Sequence, residues 1–518
     1  MRRTGFFSMA TGIALLIATL SPAAASGPLA QETIDKIHDF ASSSFDELGI
    51  PGAAVLVVDG DGIVYEEGFG TADDADTPVT ATTPFHLASL SKQLTGIAVM
   101  QLIESGDLEL DATVHSYLPW FGDDGSDTAK ITIGDLLAHA SGFSEGDGLT
   151  NRSDEGTDDG ALERNIRRLA DVPLSHAIGQ FEYSNANYDA LGYLVAVTSG
   201  MSYEAYMAER VFAPLGMVDT FTSEADARAG GVAQGHYPFF GFPIAFPVGF
   251  VRGSVPSAFI ASSAEDLGRV LMAHLNDGVA GDGQILSTEG MRQLRQPLIH
   301  PNPWDGYGWG WWSYPLWDAG QLVDSPDGSS YEVPVILEHG GSHSTYATGM
   351  ILLPDAGYGV VVLMNGNDEA APSRFYQIHN GIAQILVGRD AAALINYDDP
   401  LGLYGRQLLG ATALLMIVGV WWALRQLRRW RRDPASAPRG RRGMLRHLVL
   451  PLALDVGLTV LAWWLVLTRS NLGPGDYPAI LRLAPDIGLA IGLIAVFGLV
   501  WGLVRTALTL RVLRASNA

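Results

Sequence analysis

Three apolar runs near the C-terminal end divide this chain between two solvents. The runs near residues 403–424, 448–468 and 487–510 approach or exceed the ~20 apolar residues that a helix needs to cross a bilayer. Nine arginines and one acid crowd Arg425–Arg446, between the first two runs. Loops that basic stay on the cytoplasmic side of a membrane. The first run is therefore expected to cross from outside to inside, with residues 26–397 outside and 398–518 forming a membrane domain. The other meaning of such runs, buried helices of a soluble domain, leaves the arginine-dense loop unexplained.

The opposite end leads to the same side. Arg2 and Arg3, the apolar stretch Phe6–Leu20 and the exit Ala23-Ala24-Ala25 read as a cleavable secretory signal over residues 1–25. An uncleaved anchor is the alternative. Within the apolar runs stand Asp455 and Arg505. Counted from the cytoplasmic ends, they lie roughly 10 Å and 9 Å deep at ~1.5 Å per residue. Intramembrane charges are costly and usually paired, so an interhelical Asp455–Arg505 ion pair is expected. The alternative is an Arg505 that snorkels to the interface.

A chain of 518 residues is too long for one core. It has no cysteine, which excludes disulfides, thiolate zinc sites and cysteine nucleophiles. It has no H-E-x-x-H, no tight His/Asp cluster and no phosphate-binding G-x-x-x-x-G-K-[ST] loop, so no metal and no other cofactor is expected. Net charge is −24, and between the signal and Leu401 15 bases face 52 acids. Such a body repels nucleic acid, and its expected partner is a small-molecule or peptide substrate. Nothing in the sequence points to a protein partner. The chain has three lysines, Lys36, Lys92 and Lys130.

Periodicity predicts an α+β fold, an antiparallel sheet flanked by helices with a helical subdomain inserted. Gln31–Glu47 repeats apolar residues at helical spacing. Ala53–Val58 and Ile63–Glu66 flank Asp59-Gly60-Asp61-Gly62, a hairpin signature. Ser89–Ser105, Asn187–Thr198 and Ala264–Asn276 read as helices, the last behind a Ser263-x-x-Asp266 capping box. Pro334–Leu337, Thr348–Leu353 and Gly359–Met364 read as strands, and Pro372–Val387 as a closing helix. The acidic run Glu145–Asp159 reads as a solvated loop. Tyr237–Phe250, apolar and rich in Gly and Pro, reads as a packed loop, with a substrate lid or a membrane-touching patch as alternatives.

Three short motifs carry candidate chemistry. Ser89-x-x-Lys92 is the chain's only S-x-x-K. At a helix start that spacing puts both side chains on one face. A desolvated lysine there can take the serine proton and return it to a leaving group. Tyr183-x-Asn185 follows, in which Tyr183 can act as general base beside a cation and Asn185 can hold the lysine and a substrate carbonyl. His339-Gly340-Gly341-Ser342 comes third, on a predicted strand. Its glycines, Gly341 among them, are expected to let a substrate backbone approach, and the N–H groups of Ser342 and Ser89 to form an oxyanion hole. Each motif taken alone also has a bland meaning: neighbouring surface residues, a buried tyrosine beside a turn, a strand end with a bulge. His139 reads as structural, His379-Asn380-Gly381 as incidental, and Trp309–Trp312 as strand core with one ring available to a cleft.

Taken together, the order and spacing of these motifs resemble the penicillin-recognising serine enzymes, in the class C β-lactamase-like branch. Ile50-Pro51-Gly52, Leu136-Leu137-Ala138-His139 and Tyr307-Gly308-Trp309-Gly310 also resemble that family, over roughly Gln31 to Val387. The resemblance implies Ser89 as nucleophile, Lys92 and Tyr183 as the proton-transfer pair and Asn185 as a positioning residue. One departure stands out. The family's β-lactamases carry lysine where this chain has His339; similar proteins with His-x-Gly include D-amino-acid-specific peptidases and carboxylesterases. The expected activity is hydrolysis through an acyl-Ser89, foremost on D-amino-acid-containing peptides, with a carboxylesterase or β-lactamase as alternatives. A non-catalytic binding or signalling domain is the alternative of another class.

Overall fold

The computed structural model describes residues 28–150, 156–247, 249–281, 283–316, 335–369, 371–395, 400–438, 440–469, 481 and 484–517. The expected signal segment, residues 1–25, lies outside them. The principal strands are β1 (Gly52–Val58), β2 (Ile63–Gly70), β3 (Gly306–Gly308), β4 (Trp311–Pro315), β5 (Val335–His343), β6 (Tyr346–Leu353) and β7 (Tyr358–Met364). They form one antiparallel sheet in the order β2-β1-β7-β6-β5-β4-β3. Strand alternation explains why the middle strands are apolar throughout. Ala54, Leu56 and Val58 point into one core, while Ala53, Val55 and Val57 point into a second core on the opposite face. A strand covered on both sides has no polar face to keep. Each fully buried Val or Leu contributes about 1.5–3 kcal/mol.

The second core lies under α1 (Gln31–Leu48) and a C-terminal helix of the body, which supply Ile37, Ala41 and Phe45 and Phe375, Ile378 and Ile382 respectively. The first core lies under α2 (Ser91–Ser105), α3 (Asn185–Ser199) and α4 (Ala264–Leu275), all inserted between β2 and β3. The closing helix is α5 (Ser373–Leu386). This is the expected α+β arrangement with its helical insertion. The β1–β2 turn closes as the sequence suggests, with Asp59 Oδ1 accepting from the N–H groups of Asp61 and Gly62.

Three local readings change. Ser89 lies in a 3₁₀ turn, Ala88–Leu90, and the α-helix begins at Ser91. The capping box at α4 closes on one side only: Ser263 caps the Asp266 N–H, but the Asp266 carboxylate turns to Asp219 N and Thr220 Oγ1. The acidic run does not begin as a solvated loop. Ser144 and Asp147 bond reciprocally and open a short helix, Glu145–Thr150.

Beyond the body stand α6 (Pro400–Arg432), α7 (Leu450–Arg469) and α8 (Pro485–Asn517). Three helices there, Tyr404–Arg432, Gly440–Leu461 and Pro485–Val512, are long and apolar enough to cross a membrane. α8 packs against both others. Gly498 and Gly502 let α7 come close, since a Cβ on Gly502 would lie 3.2 Å from the Asp455 Cβ. Across this seam Arg505 Nη2 stands 2.8 Å from Asp455 Oδ2, the expected ion pair, at an angle that makes it a charge contact and not a hydrogen bond. Breaking a pair in a low-dielectric seam strands a charge, at a cost of about 3–5 kcal/mol. Asp455→Arg alone should therefore lower the membrane level of the chain, and Asp455→Arg with Arg505→Asp should restore it. Quantitative blotting of membrane fractions checks this, and a double variant no better than the single one counts against the pair.

Candidate active site

The 3₁₀ turn that carries Ser89 is bent by Ala88, which has a φ of 49°. A left-handed alanine costs about 1–2 kcal/mol, so something must hold it there. The turn is clamped by β5 and β6. A Cβ on Gly341 would lie 2.3 Å from Leu87 O, and Thr348 Oγ1 donates to that same carbonyl at 2.7 Å. Gly341 therefore makes room for the turn that carries Ser89. Its Cα side faces that turn and not the cavity, while its backbone lies on the strand edge where a substrate backbone is expected to approach. Gly340 lines the cavity, and a Cβ there would strike the Tyr376 ring at 2.3 Å.

Lys92, one turn into α2, is fully buried. Its Nζ donates to Ser89 Oγ (3.0 Å), Asn185 Oδ1 (2.7 Å) and Ser257 O (2.8 Å). Tyr183 reaches Ser89 from the other side, its hydroxyl donating to Oγ at 2.9 Å. The Lys92 ammonium lies 5.0 Å from the Tyr183 ring centroid. Because the Asn185 carbonyl faces lysine, its amide is free to face the cavity that Asn185 lines. Four sequence-derived residues thus meet within hydrogen-bond distance. A serine oxygen flanked by an amine and a phenol has two routes for giving up its proton.

Behind this group runs a chain of hydrogen bonds whose direction follows from its ends. Ser184 N–H and the Asn187 amide both reach His139 Nδ1, at 3.2 and 2.9 Å. His139 must then hold its proton on Nε2, 3.2 Å from the Tyr307 hydroxyl. Tyr307 in turn donates to His339 Nε2 (3.3 Å), which leaves the His339 proton on Nδ1, facing Gly340 O at 2.7 Å. Every link is satisfied only if both imidazoles are neutral. Burial, and then the nearby Lys92 charge, push His339 down to about 4 and hold His139 well below the ordinary histidine range. His139 touches neither Ser89 nor the cavity, so it fixes the histidine and tyrosine rings of the site from behind.

The cavity in front of Ser89 measures about 520 Å³. Its walls include Trp312, His339 and Ser342, as expected, and also Glu145, Glu338 and Glu369, which sequence reasoning missed. β4 pairs with β5 only as far as Glu338, so among the described residues the backbone of His339–Ser342 has no strand partner on that side. Ser342 Oγ donates to Glu369 and accepts from Asn367 Nδ2. His379, which looked incidental, is buried and bonded to Glu338 at 2.8 Å, and Asn380 lines the cavity. Burial, and then Glu182, raise the Glu145 carboxyl. Among the described residues no three His, Cys, Asp or Glu side chains stand together as metal ligands.

Residues 31–381 match the family model described as Beta-lactamase. The chain belongs to the beta-lactamase family. Penicillin-binding protein 4 of Amycolatopsis lactamdurans is 32% identical over 334 residues, covering 58% of this chain and 84% of that one. Protein flp of Staphylococcus aureus (strain N315) is 27% identical over 481 residues, covering 90% of this chain and 89% of its own. An alignment of that length cannot be confined to the soluble body; it extends into the apolar helices. D-alanine carboxypeptidase AmpC from Burkholderia cenocepacia has the same fold, with a TM-score of 0.55 at 22% identity over 70% of this chain and 99% of that chain. The beta-lactamase and DD-peptidase fold is thus joined here to three candidate membrane helices, which suggests membrane association.

The neutral histidines make stability depend on pH with a definite sign. An unfolded histidine takes a proton below ~6.5, whereas His339 in the folded chain resists until about 4. Its contribution is whole above ~6.5 and is lost as pH falls, by about 1.4 kcal/mol per pH unit and about 3 kcal/mol in all. His339→Asn should therefore flatten the fall in stability between pH 6.5 and 4. Denaturant titrations of the full chain in detergent at several pH values check this, and parallel curves for variant and parent would contradict it.

Proposed function

We propose that this family member is a working serine hydrolase that transfers an acyl group to water through an acyl-Ser89, acting foremost on peptides that contain D-amino acids. The observation that carries this reading is the convergence of Lys92 Nζ and Tyr183 Oη on Ser89 Oγ at the floor of an open cavity. Both bonds point toward Oγ at rest, so attack requires that one of the two donors has lost its proton. Ser89 Oγ then attacks the carbonyl and its proton passes to that neighbour. The C–N or C–O bond breaks as the same proton reaches the leaving amine or alcohol. Water repeats the sequence on the acyl-enzyme. The N–H groups of Ser89 and Ser342 are read as the oxyanion donors, and the Asn185 amide as a contact to the acyl chain. The names of two relatives, a penicillin-binding protein and a D-alanine carboxypeptidase, agree with D-amino-acid peptides as substrates. The arginine-dense loop supports placing the body on the extracytoplasmic side.

Charge narrows the substrate further. Glu145, Glu338 and Glu369 line the cavity, and its described lining residues include no lysine or arginine. His339, held neutral, occupies the place where the family's β-lactamases have a lysine. A substrate carboxylate near the scissile bond meets carboxylates there, while an amine or an uncharged group is accommodated. We therefore favour peptides with an amine-bearing D-residue over C-terminal D-Ala-D-Ala dipeptides. A carboxylesterase is the second reading, because a neutral ester needs no charged anchor.

The test compares D-alanine p-nitroanilide, a D-Ala-D-Ala peptide, a p-nitrophenyl ester and nitrocefin. The amine-bearing anilide should exceed the carboxylate-bearing peptide and nitrocefin in kcat/KM. Ser89→Ala should abolish turnover and fluorophosphonate labelling. Lys92→Ala and Tyr183→Phe should each slow acylation by roughly 10²–10⁴. Activity surviving in Ser89→Ala would end the mechanism, and a parent chain inert to every reagent would favour a binding module.

A further inference from the structure

Residues 236–246 form a hairpin that is poorly suited to water. Its strands, His236–Phe239 and Phe242–Ala245, are joined by the two residues Phe240 and Gly241, with φ of 50° and 88°. Positive φ at both tip positions defines a type I′ turn, which prefers Asn, Asp or Gly first. Here a phenylalanine takes the strained place. Phe240, Ile244 and Phe246 are exposed, and Phe242 is 72% exposed. From His236 to Phe250 there is no acid, Lys or Arg, in a body otherwise dense with acids. The expected packed loop is thus a projecting apolar edge.

The position of this edge is fixed by polar bonds to the apolar helices. The Tyr237 hydroxyl donates to Asp486 Oδ1 (2.6 Å), and Phe240 N–H to Asp486 Oδ2 (2.9 Å). Asp486 is fully buried in the first turn of α8, directly before the apolar run that begins at Ile487. Arg406 of α6 donates Nε to Asp486 (2.6 Å), Nη1 to Asp368 (2.7 Å) and Nη2 to the Tyr237 hydroxyl (3.0 Å). Two residues after Arg406, from Leu408 to Leu424, α6 continues without a charged residue. The hairpin is therefore bonded to the two places where helices pass from polar to apolar surroundings.

We propose that this hairpin is an interfacial membrane anchor, with Phe242, Ile244 and Phe246 inserted among lipid headgroups and upper acyl chains beside α6 and α8. Elements that bind in this way bury their apolar face ~5–10 Å into that zone. The proposal rests on the reading of α6 and α8 as membrane spans. With no basic residue in the hairpin and an acidic body behind it, anionic lipid adds nothing to the binding.

The chain lacks cysteine, so single cysteines can be labelled with a nitroxide at will. Labels at Phe242, at Leu415 on the exposed face of α6 and at Asp124, whose side chain is 99% exposed, would be compared in the full chain in phosphatidylcholine vesicles. Power saturation reads collisions with oxygen against a nickel chelate. Labels at Phe242 and Leu415 should favour oxygen, the first at shallower depth, and the label at Asp124 should favour nickel. Thermal midpoints equal to the parent's would identify the labelled chains as folded. If Leu415 is immersed while Phe242 meets nickel as freely as Asp124, the anchor is disproved and the spans stand. If Leu415 is also in water, both readings fall. Immersion of Phe242 that requires phosphatidylglycerol would overturn the apolar account.

Discussion

A lysine ammonium taken wholly out of water organises the body of this protein. Burying such a charge costs several kcal/mol unless its three protons find acceptors. Lys92 meets that demand with Ser89 Oγ, Asn185 Oδ1 and Ser257 O. The acceptors come from three separate stretches of chain, so the charge is satisfied only when α2, the start of α3 and the helical turn Val255–Ala258 are all in place. Further bonds lock the same elements one layer out. Thr95 donates to Pro256 O, Ser254 to Asp189, and Ile260 N–H to Ser91. Ser89 is thus one of the acceptors that a stable fold requires, and its position is set by folding.

Backbone strain gathers around that charge. Ala88, His139 and Trp309 all have positive φ. Ala88 and Trp309 are held by close approaches. Gly341 admits Leu87 and Ala88; a Cβ on Gly310 would lie 2.7 Å from Gln93 N, and one on Gly96 would lie 2.6 Å from Trp309 O. The turn between β3 and β4 therefore presses on α2 within a residue of Lys92. His139 holds its unusual backbone because both ring nitrogens are committed, to Ser184 and Asn187 on one side and to Tyr307 on the other. Conformations that cost a kcal/mol or more persist where the surroundings over-determine them.

These features divide what the sequence could reveal from what it could not. Ser89-x-x-Lys92 was legible because lysine is scarce and because i,i+3 spacing on a helix start is a local relation. The sheet was legible because strands buried on both faces are written as unbroken apolar runs, as in β1 and β7. Asp455 and Arg505 could be matched by depth alone, since a membrane span converts residue count into distance. Glu145 was hidden in an acidic run that resembled solvated loop, and only its Ser144–Asp147 cap betrays a helix. Glu338 and His379 meet across 41 positions of chain, and no local pattern announces that. Gly341 was recognised as special, but one of its neighbours was not foreseen: the protein's own serine turn packs against it.

The same nonlocal logic joins the edge of the candidate active site to the apolar helices. The segment after β7 ties several elements together. Asn365 Oδ1 accepts from Gly52 N–H at the start of β1, Asn367 donates to Ser342 Oγ and His343 O, and Glu369 accepts from Ser342. Asp368, between the last two, pairs with Arg406 of α6. Successive side chains thus hold the open edge of β5 and the first turns of a candidate span. A flexible tether would leave the cleft free to tumble relative to the helices. Here a partly buried polar cluster of Arg406, Asp368, Asp486 and Tyr237 opposes that, because turning the body would strand charges that this geometry satisfies. The direction in which the cavity opens, relative to the axes of α6 and α8, is therefore a property of the fold.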